Sequence, residues 1–222
     1  MTRCIHEYKA THSRHRGRKG RLRQNHAGTR RGGCRCSGGR KVAIFDVDTQ
    51  ATAANWTDRR EAEFPWVVAT PAARLDAALT SAKGQGVDFI VVDTPPHAGA
   101  DGVDAARRAD LVLVPVEPHI SSLETLPKVA DMLKLAGETP VVVVLSKTPI
   151  QGKEAQDASA YIAGQGFEVC PVTLYLRAAH RHAGSVGKTA QEYEPNGKAA
   201  EESLQVYMYI MQLLTKGGIP NG

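Results

Sequence analysis

Two short hydrophobic runs in this 222-residue chain end in aspartate, and their carboxylates are its best-placed candidates for chemistry. Residues 41–48 read KVAIFDVD; residues 87–93 read VDFIVVD and continue into TPP. An apolar run of this length, rich in Val and Ile, is the pattern of a strand buried on both faces, as in a parallel sheet. A carboxylate at the carboxyl end of such a strand stands at the edge where α/β proteins bind ligands. Two of them point to a hard cation with phosphate oxygens nearby. The plainer role for each Asp is to cap the turn or helix that follows.

The rest of the chain alternates strand and helix patterns. Strands are expected at 42–46, 66–69, 89–93, 111–116, 141–146 and 169–175. Helices are expected at about 51–62, 72–83, 101–108, 121–135, 153–164 and 197–214. Thr70-Pro71 reads as an N-cap with proline at the first helical position, and Gly137 and Gly164 as helix stops. Such alternation predicts an α/β fold, a mostly parallel sheet with helices on both faces. No stretch approaches the 18 apolar residues of a membrane span. Of four cysteines only Cys170 lies beyond residue 38, which fits a reducing cytoplasm and offers no disulfide framework.

Several segments carry a family resemblance. KVAIFDVDTQATAANW, VDFIVVDTPPHAG, ADLVLVPVEPHISSLETL and LRAAHRHAGSVGKTAQEYEPNGKAAEE occur in the order and at the spacing of the ParA/MinD ATPases, over about residues 39–214. The chain resembles most a ParA-type plasmid or chromosome partition ATPase, with a P-loop NTPase-like fold. The resemblance implies ATP and Mg2+ as cofactors. It implies that Asp93 is the Walker-B carboxylate orienting a water on the metal, that Asp46 supports the metal shell, and that Asp48 positions the attacking water. It makes Thr94, Pro95 and Pro96 the switch loop that senses the γ-phosphate; the plain alternative is a strand-ending turn. Thr49 stands where the family has proline. Ser146 and Pro149 fall near the family's adenine pocket, where Pro115 and Pro118 can equally be turn punctuation. The partners implied are a second copy of the chain in an ATP-bound homodimer, non-specific DNA, and a ParB- or ParG-like centromere-binding protein that stimulates hydrolysis. The localisation implied is the bacterial cytoplasm, at the nucleoid, with no membrane partner.

One stretch only looks like a phosphate loop. GSVGKT, residues 184–189, would need a glycine at position 182, where the chain has His182, and no apolar helix follows it. The resemblance makes it a surface loop in which Arg177, Arg181, Lys188 and Lys198 contact DNA; a merely solvated basic loop is the alternative.

The family's real phosphate loop and the strand before it are missing as written. Residues 1–41 hold 13 of the 28 basic residues and one of the 23 acidic ones, so that segment is +12 and the remainder −7. It shows no apolar periodicity. Residues 1–38 therefore form an atypical basic segment, disordered as written because it cannot bury enough apolar surface, ahead of a nucleotide-binding domain at 39–222. A slipped reading frame accounts for it. Residues 19–27, KGRLRQNHA, can be encoded AAA GGG CGG CTC CGG CAA AAC CAC GCN. One base later the same letters read KGGSGKTT, a phosphate loop whose backbone N–H groups and lysine would cradle phosphates. Residues 27–37 can then encode a Leu-, Ala- and Val-rich helix, with the frame rejoined near 38–41. The chain as written is expected to fold poorly, lacking the central strand of its own sheet, and to be dead as an ATPase.

Two other readings remain open. A MinD-like division-site ATPase would end in a basic amphipathic helix lying on lipid; this chain ends YMYIMQLLTKGGIPNG, with one lysine in that stretch. A non-enzymatic protein would use the basic N-terminal arm to bind DNA. Cys34, Cys36 and His26 lack zinc-finger spacing, and the arm lacks the apolar face of a transit peptide.

Overall fold

In the computed structural model, the residues described are 3–7, 40–48, 50, 52–95, 99–137 and 139–216. Seven strands form one sheet: β1 (Arg3–Glu7), β2 (Val42–Asp46), β3 (Trp66–Ala69), β4 (Phe89–Asp93), β5 (Leu111–Val116), β6 (Val141–Leu145) and β7 (Glu168–Val169), in the order β3-β2-β4-β1-β5-β6-β7. All neighbouring pairs are parallel except those of β1, which runs antiparallel to both β4 and β5.

Four of the six strands expected from the sequence have the expected bounds, because Val- and Ile-rich runs bounded by Lys, Pro or Asp leave little freedom of placement. The parallel core with helices on both faces is also as expected. One face carries α2 (Leu75–Gly84), α3 (Gly99–Arg107), α5 (Leu126–Ala136) and α6 (Glu154–Gly164). Their Leu79, Ala106, Leu133 and Ile162 bury Phe45, Ile90, Val92, Val114 and Val143 of the sheet. The other face is covered by α9 (Lys198–Lys216), whose Val206, Ile210 and Leu214 pack over Val42, Phe89, Leu111 and Val142.

Four local readings differ from the structure. The helix expected over 121–135 is two, α4 (Ile120–Leu123) and α5, parted at Thr125 because Pro127 offers no N–H to the preceding turn. The strand expected over 169–175 is two residues long. Beyond it Pro171 interrupts the ladder, although Cys170 N–H still donates to Val143 O (2.8 Å) and Leu174 N–H to Leu145 O (2.9 Å). Thr70 does not cap α2; its hydroxyl donates to Val68 O and its N–H to Asp46 O. The helix expected over 51–62 is the shorter α1 (Thr52–Thr57).

The slot between β4 and β5 is not empty. Arg3–Glu7, within the segment expected to hold no element, lies there and pairs Arg3 with Asp93 and Glu7 with Phe89. A sheet interior leaves two ladders of N–H and C=O groups that must be paired, and a five-residue strand of either direction can satisfy them. Among the described residues no helix is long and apolar enough to cross a membrane.

Candidate functional site

Parallel pairing of β2 with β4 sets Asp46 beside Asp93 at the carboxyl edge of the sheet. Both are buried, at 2% and 5% exposure, as is Asp48 at 7%. The Val47 N–H donates to Asp93 O (2.9 Å), which ties the turn after β2 to the end of β4. Asp46 organises that turn with both carboxylate oxygens: Oδ1 accepts the Asp48 N–H (3.1 Å) and Oδ2 accepts the Ala53 N–H (2.9 Å) at the start of α1. Asp48 Oδ1 accepts the Gln50 N–H (2.9 Å). Asp46 thus does act as a cap, and in doing so it fixes where Asp48 stands.

Thr94 is fully buried directly after Asp93, and Pro95 is half-buried. Pro96 and Thr49 lie outside the described residues. Pro95 and Pro115 line a groove of about 1200 Å³ between α3 and α5, closed by Val103, Val129 and Met132. Asp46, Asp48 and Asp93 do not line it.

The donor set suits magnesium. Hard carboxylate oxygens at two adjacent strand ends match an ion that takes one or two protein carboxylates and keeps several waters. Among the described residues no group of three or more His, Cys, Asp or Glu side chains gathers as a metal cage, the arrangement a tightly chelated ion would need.

The four basic residues expected to touch DNA separate into two pairs. Arg181 and Lys188 are exposed. Arg177 donates from Nε to Glu202 Oε1 (2.8 Å), and the buried Glu202 also accepts the Tyr175 N–H (3.2 Å). That carboxylate pushes the Arg177 guanidinium above its ordinary range. Lys198 pairs with Glu201 at 2.8 Å on the exposed first turn of α9.

The GSVGKT stretch is built structure and no phosphate loop. It contains the end of α7 (Ala178–Ser185), a turn, and the cap of α8 (Ala190–Tyr193). Thr189 and Glu192 form a reciprocal capping box there, a signal present in the sequence as Thr-x-x-Glu. Sequence reasoning missed what holds this unit. Arg60, whose side chain is 3% exposed, forks onto Glu192 at 2.8 and 2.6 Å and donates to Gly187 O (2.9 Å), with Trp56 beneath it at 4.7 Å. Arg59 Nε donates to Gly184 O (3.3 Å).

No family profile matches the chain. The sporulation initiation inhibitor protein Soj of Bacillus subtilis is 26% identical over 144 residues, which cover 60% of this chain and 55% of Soj, just over half of that relative's length. The maintenance of carboxysome distribution protein A of Gloeobacter kilaueensis is 25% identical over 179 residues, covering 79% of this chain and 81% of the relative. In sequence the chain is thus similar to proteins of the ParA/MinD type. The solved structure of the septum site-determining protein MinD of Pyrococcus horikoshii, complexed with Mg-ADP, superposes with a TM-score of 0.59 at 18% identity over 82% of this chain and 88% of that one. That likeness is one of fold.

Proposed function

We propose that this chain, with its phosphate loop restored, is a ParA-type partition ATPase. The observation that carries the proposal is the alignment of Asp46 and Asp93 at one sheet edge, with Asp46 holding the turn that presents Asp48. ATP binding joins two copies of the chain, the dimer binds DNA without sequence preference, and a centromere-binding partner stimulates hydrolysis. Asp93 and Asp46 would hold Mg2+, which when bound would supply charge neutralisation at the phosphate oxygens; Asp48, presented by the turn that Asp46 anchors, orients the attacking water. Thr94, Pro95 and Pro96 form the loop that reports the γ-phosphate. Arg181 and Lys188 carry the DNA contact, since Arg177 and Lys198 are engaged with Glu202 and Glu201.

The restored chain is expected to hydrolyse ATP, and the chain as written is not. In the restored chain Asp48→Asn lowers turnover by about a hundredfold or more while ATP binding persists. Turnover unchanged in this variant removes Asp48 from the mechanism; no turnover in the restored chain removes the ATPase reading.

The fold likeness to MinD favours a second reading, division-site positioning at a membrane. ATP-dependent sedimentation with liposomes supports that reading, and ATP-dependent, salt-sensitive binding to duplex DNA supports partition.

A further inference from the structure

The α7–α8 unit, residues 178–193, is fixed to the rest of the molecule with little hydrophobic burial. The residues it buries are Ala183, Gly187 and Ala190, and none of the three belongs to either apolar cluster packed on the sheet. Its larger apolar side chains, Val186 and Tyr193, are 48% and 46% exposed. Helices of eight and four residues do not persist alone. Burying three small residues contributes little, so polar contacts decide whether the unit stays closed.

One short segment supplies that grip. Trp56 Nε1 donates to Lys188 O (3.4 Å), Arg59 Nε to Gly184 O (3.3 Å) and Arg60 Nη1 to Gly187 O (2.9 Å). The Arg60 fork also takes both oxygens of Glu192, the carboxylate that accepts the Thr189 N–H (2.8 Å) in the capping box of α8. At its other end the same segment is tied to the candidate site. Asp46 Oδ2 accepts the Ala53 N–H, Ala53 O accepts the Thr57 hydroxyl (3.2 Å), and Thr57 O accepts the Arg60 N–H (2.8 Å). An unbroken run of hydrogen bonds thus joins the carboxylate that ends β2 to the guanidinium that grips α8.

We propose that α1 and Arg60 couple the two ends, so that the α7–α8 unit opens and closes together with the carboxylate turn. Arg60 is a positioning residue, acting through Glu192 and Gly187. The burial of its side chain makes the coupling all-or-none. A guanidinium 3% exposed keeps its place only while its partner carboxylate is there. When Glu192 leaves, water must reach Arg60, and α1, six residues long, loses the anchor at its end. Coupling of this kind is reciprocal: whatever ties down the Asp46 turn also holds α7–α8 closed. The coupling stands on these contacts alone; its use, setting the position of the exposed Arg181 and Lys188, rests on the partition reading.

The test is amide hydrogen exchange in the full chain, unsubstituted and carrying Asp46→Asn or Arg60→Gln. Asp46→Asn is expected to speed exchange at the distant Lys188, Tyr193 and Glu194 amides at least about tenfold, and Arg60→Gln to do the same at Asp48 and Ala53. The β6 amides, which report global opening, change less than about twofold. Effects confined to the substituted end overturn the proposal, because Asp46 and Arg60 then serve only their own surroundings. An equal rise at β6 overturns it too, as does an α7–α8 unit without protection in the unsubstituted chain. If Arg60→Gln does not fold, Glu192→Gln decides by the same readout at Asp48 and Ala53. Coupled exchange, together with a frame-restored chain that binds no DNA, upholds this inference and defeats the partition reading.

Discussion

Asp46 shows how one carboxylate organises a candidate site. Its two oxygens accept the backbone N–H groups of Asp48 and Ala53, so the residue that ends β2 also anchors the turn leading into α1. Elsewhere a single side chain makes pH a lever on stability. The Tyr209 hydroxyl donates to Glu168 Oε1 at 2.6 Å, and burial first, then that carboxylate, push its pKa from 10.0 up to about 12. The folded state therefore holds the proton more tightly than the unfolded chain. Stability is intact below pH 10 and is lost as pH rises toward about 12. Urea midpoints measured from pH 9 to about 12 should fall more steeply in the native protein than in Tyr209→Phe; parallel curves would show that the Glu168 contact does not form. The terminal aspartates were legible from the sequence because each ends a hydrophobic run. Arg60 was not, since a buried arginine announces itself only through the Glu192 it meets 132 residues later.

At the scale of elements, the α7–α8 unit is held by α1 and the turn after it. Gly187 lies at φ +67, and a Cβ there would come within 2.4 Å of Arg59 O and 2.6 Å of the Arg60 N–H nitrogen. Gly184, three residues earlier in α7, has open space around its Cβ position. Gly187→Ala should therefore cost at least about 2 kcal/mol through left-handed strain and backbone collision. Gly184→Ala should be neutral or stabilise by about 0.5 kcal/mol, as alanine does in a helix. Urea unfolding of the two variants checks this, and a similar cost for both would mean that Arg59 and Arg60 do not close on the turn. The elements legible in the sequence were those with long periodic runs. The short polar helices α7 and α8 escaped because their His, Arg and Gly residues carry no apolar stripe; they are helical through Thr189 capping and tertiary grip.

For the whole molecule, charge separates the readings that fold alone leaves together. The written chain carries +12 in its first 41 residues and −7 in the rest. An acidic body repels duplex DNA at long range, so DNA binding must come either from the basic arm or from a small local patch such as Arg181 and Lys188. The two sources differ in what controls them. The arm's charge is present whatever nucleotide is added, and most of it disappears when the frame is restored, since every arginine codon read one base later starts with G and encodes an uncharged or acidic residue. On the proposed function the patch carries few charges, and two copies joined by ATP would raise its affinity. The written chain is therefore expected to bind DNA without nucleotide, with affinity falling steeply as salt rises, by roughly 0.9 logarithmic units per decade of salt for each phosphate contacted. The restored chain is expected to bind only with ATP and with a shallower salt slope, lost in Arg181→Ala/Lys188→Ala. Fluorescence anisotropy of a labelled duplex from about 50 to 300 mM salt resolves the two. Nucleotide-independent binding of equal slope in both forms would place the DNA contact outside the Arg181–Lys188 patch and remove partition as the function of this fold.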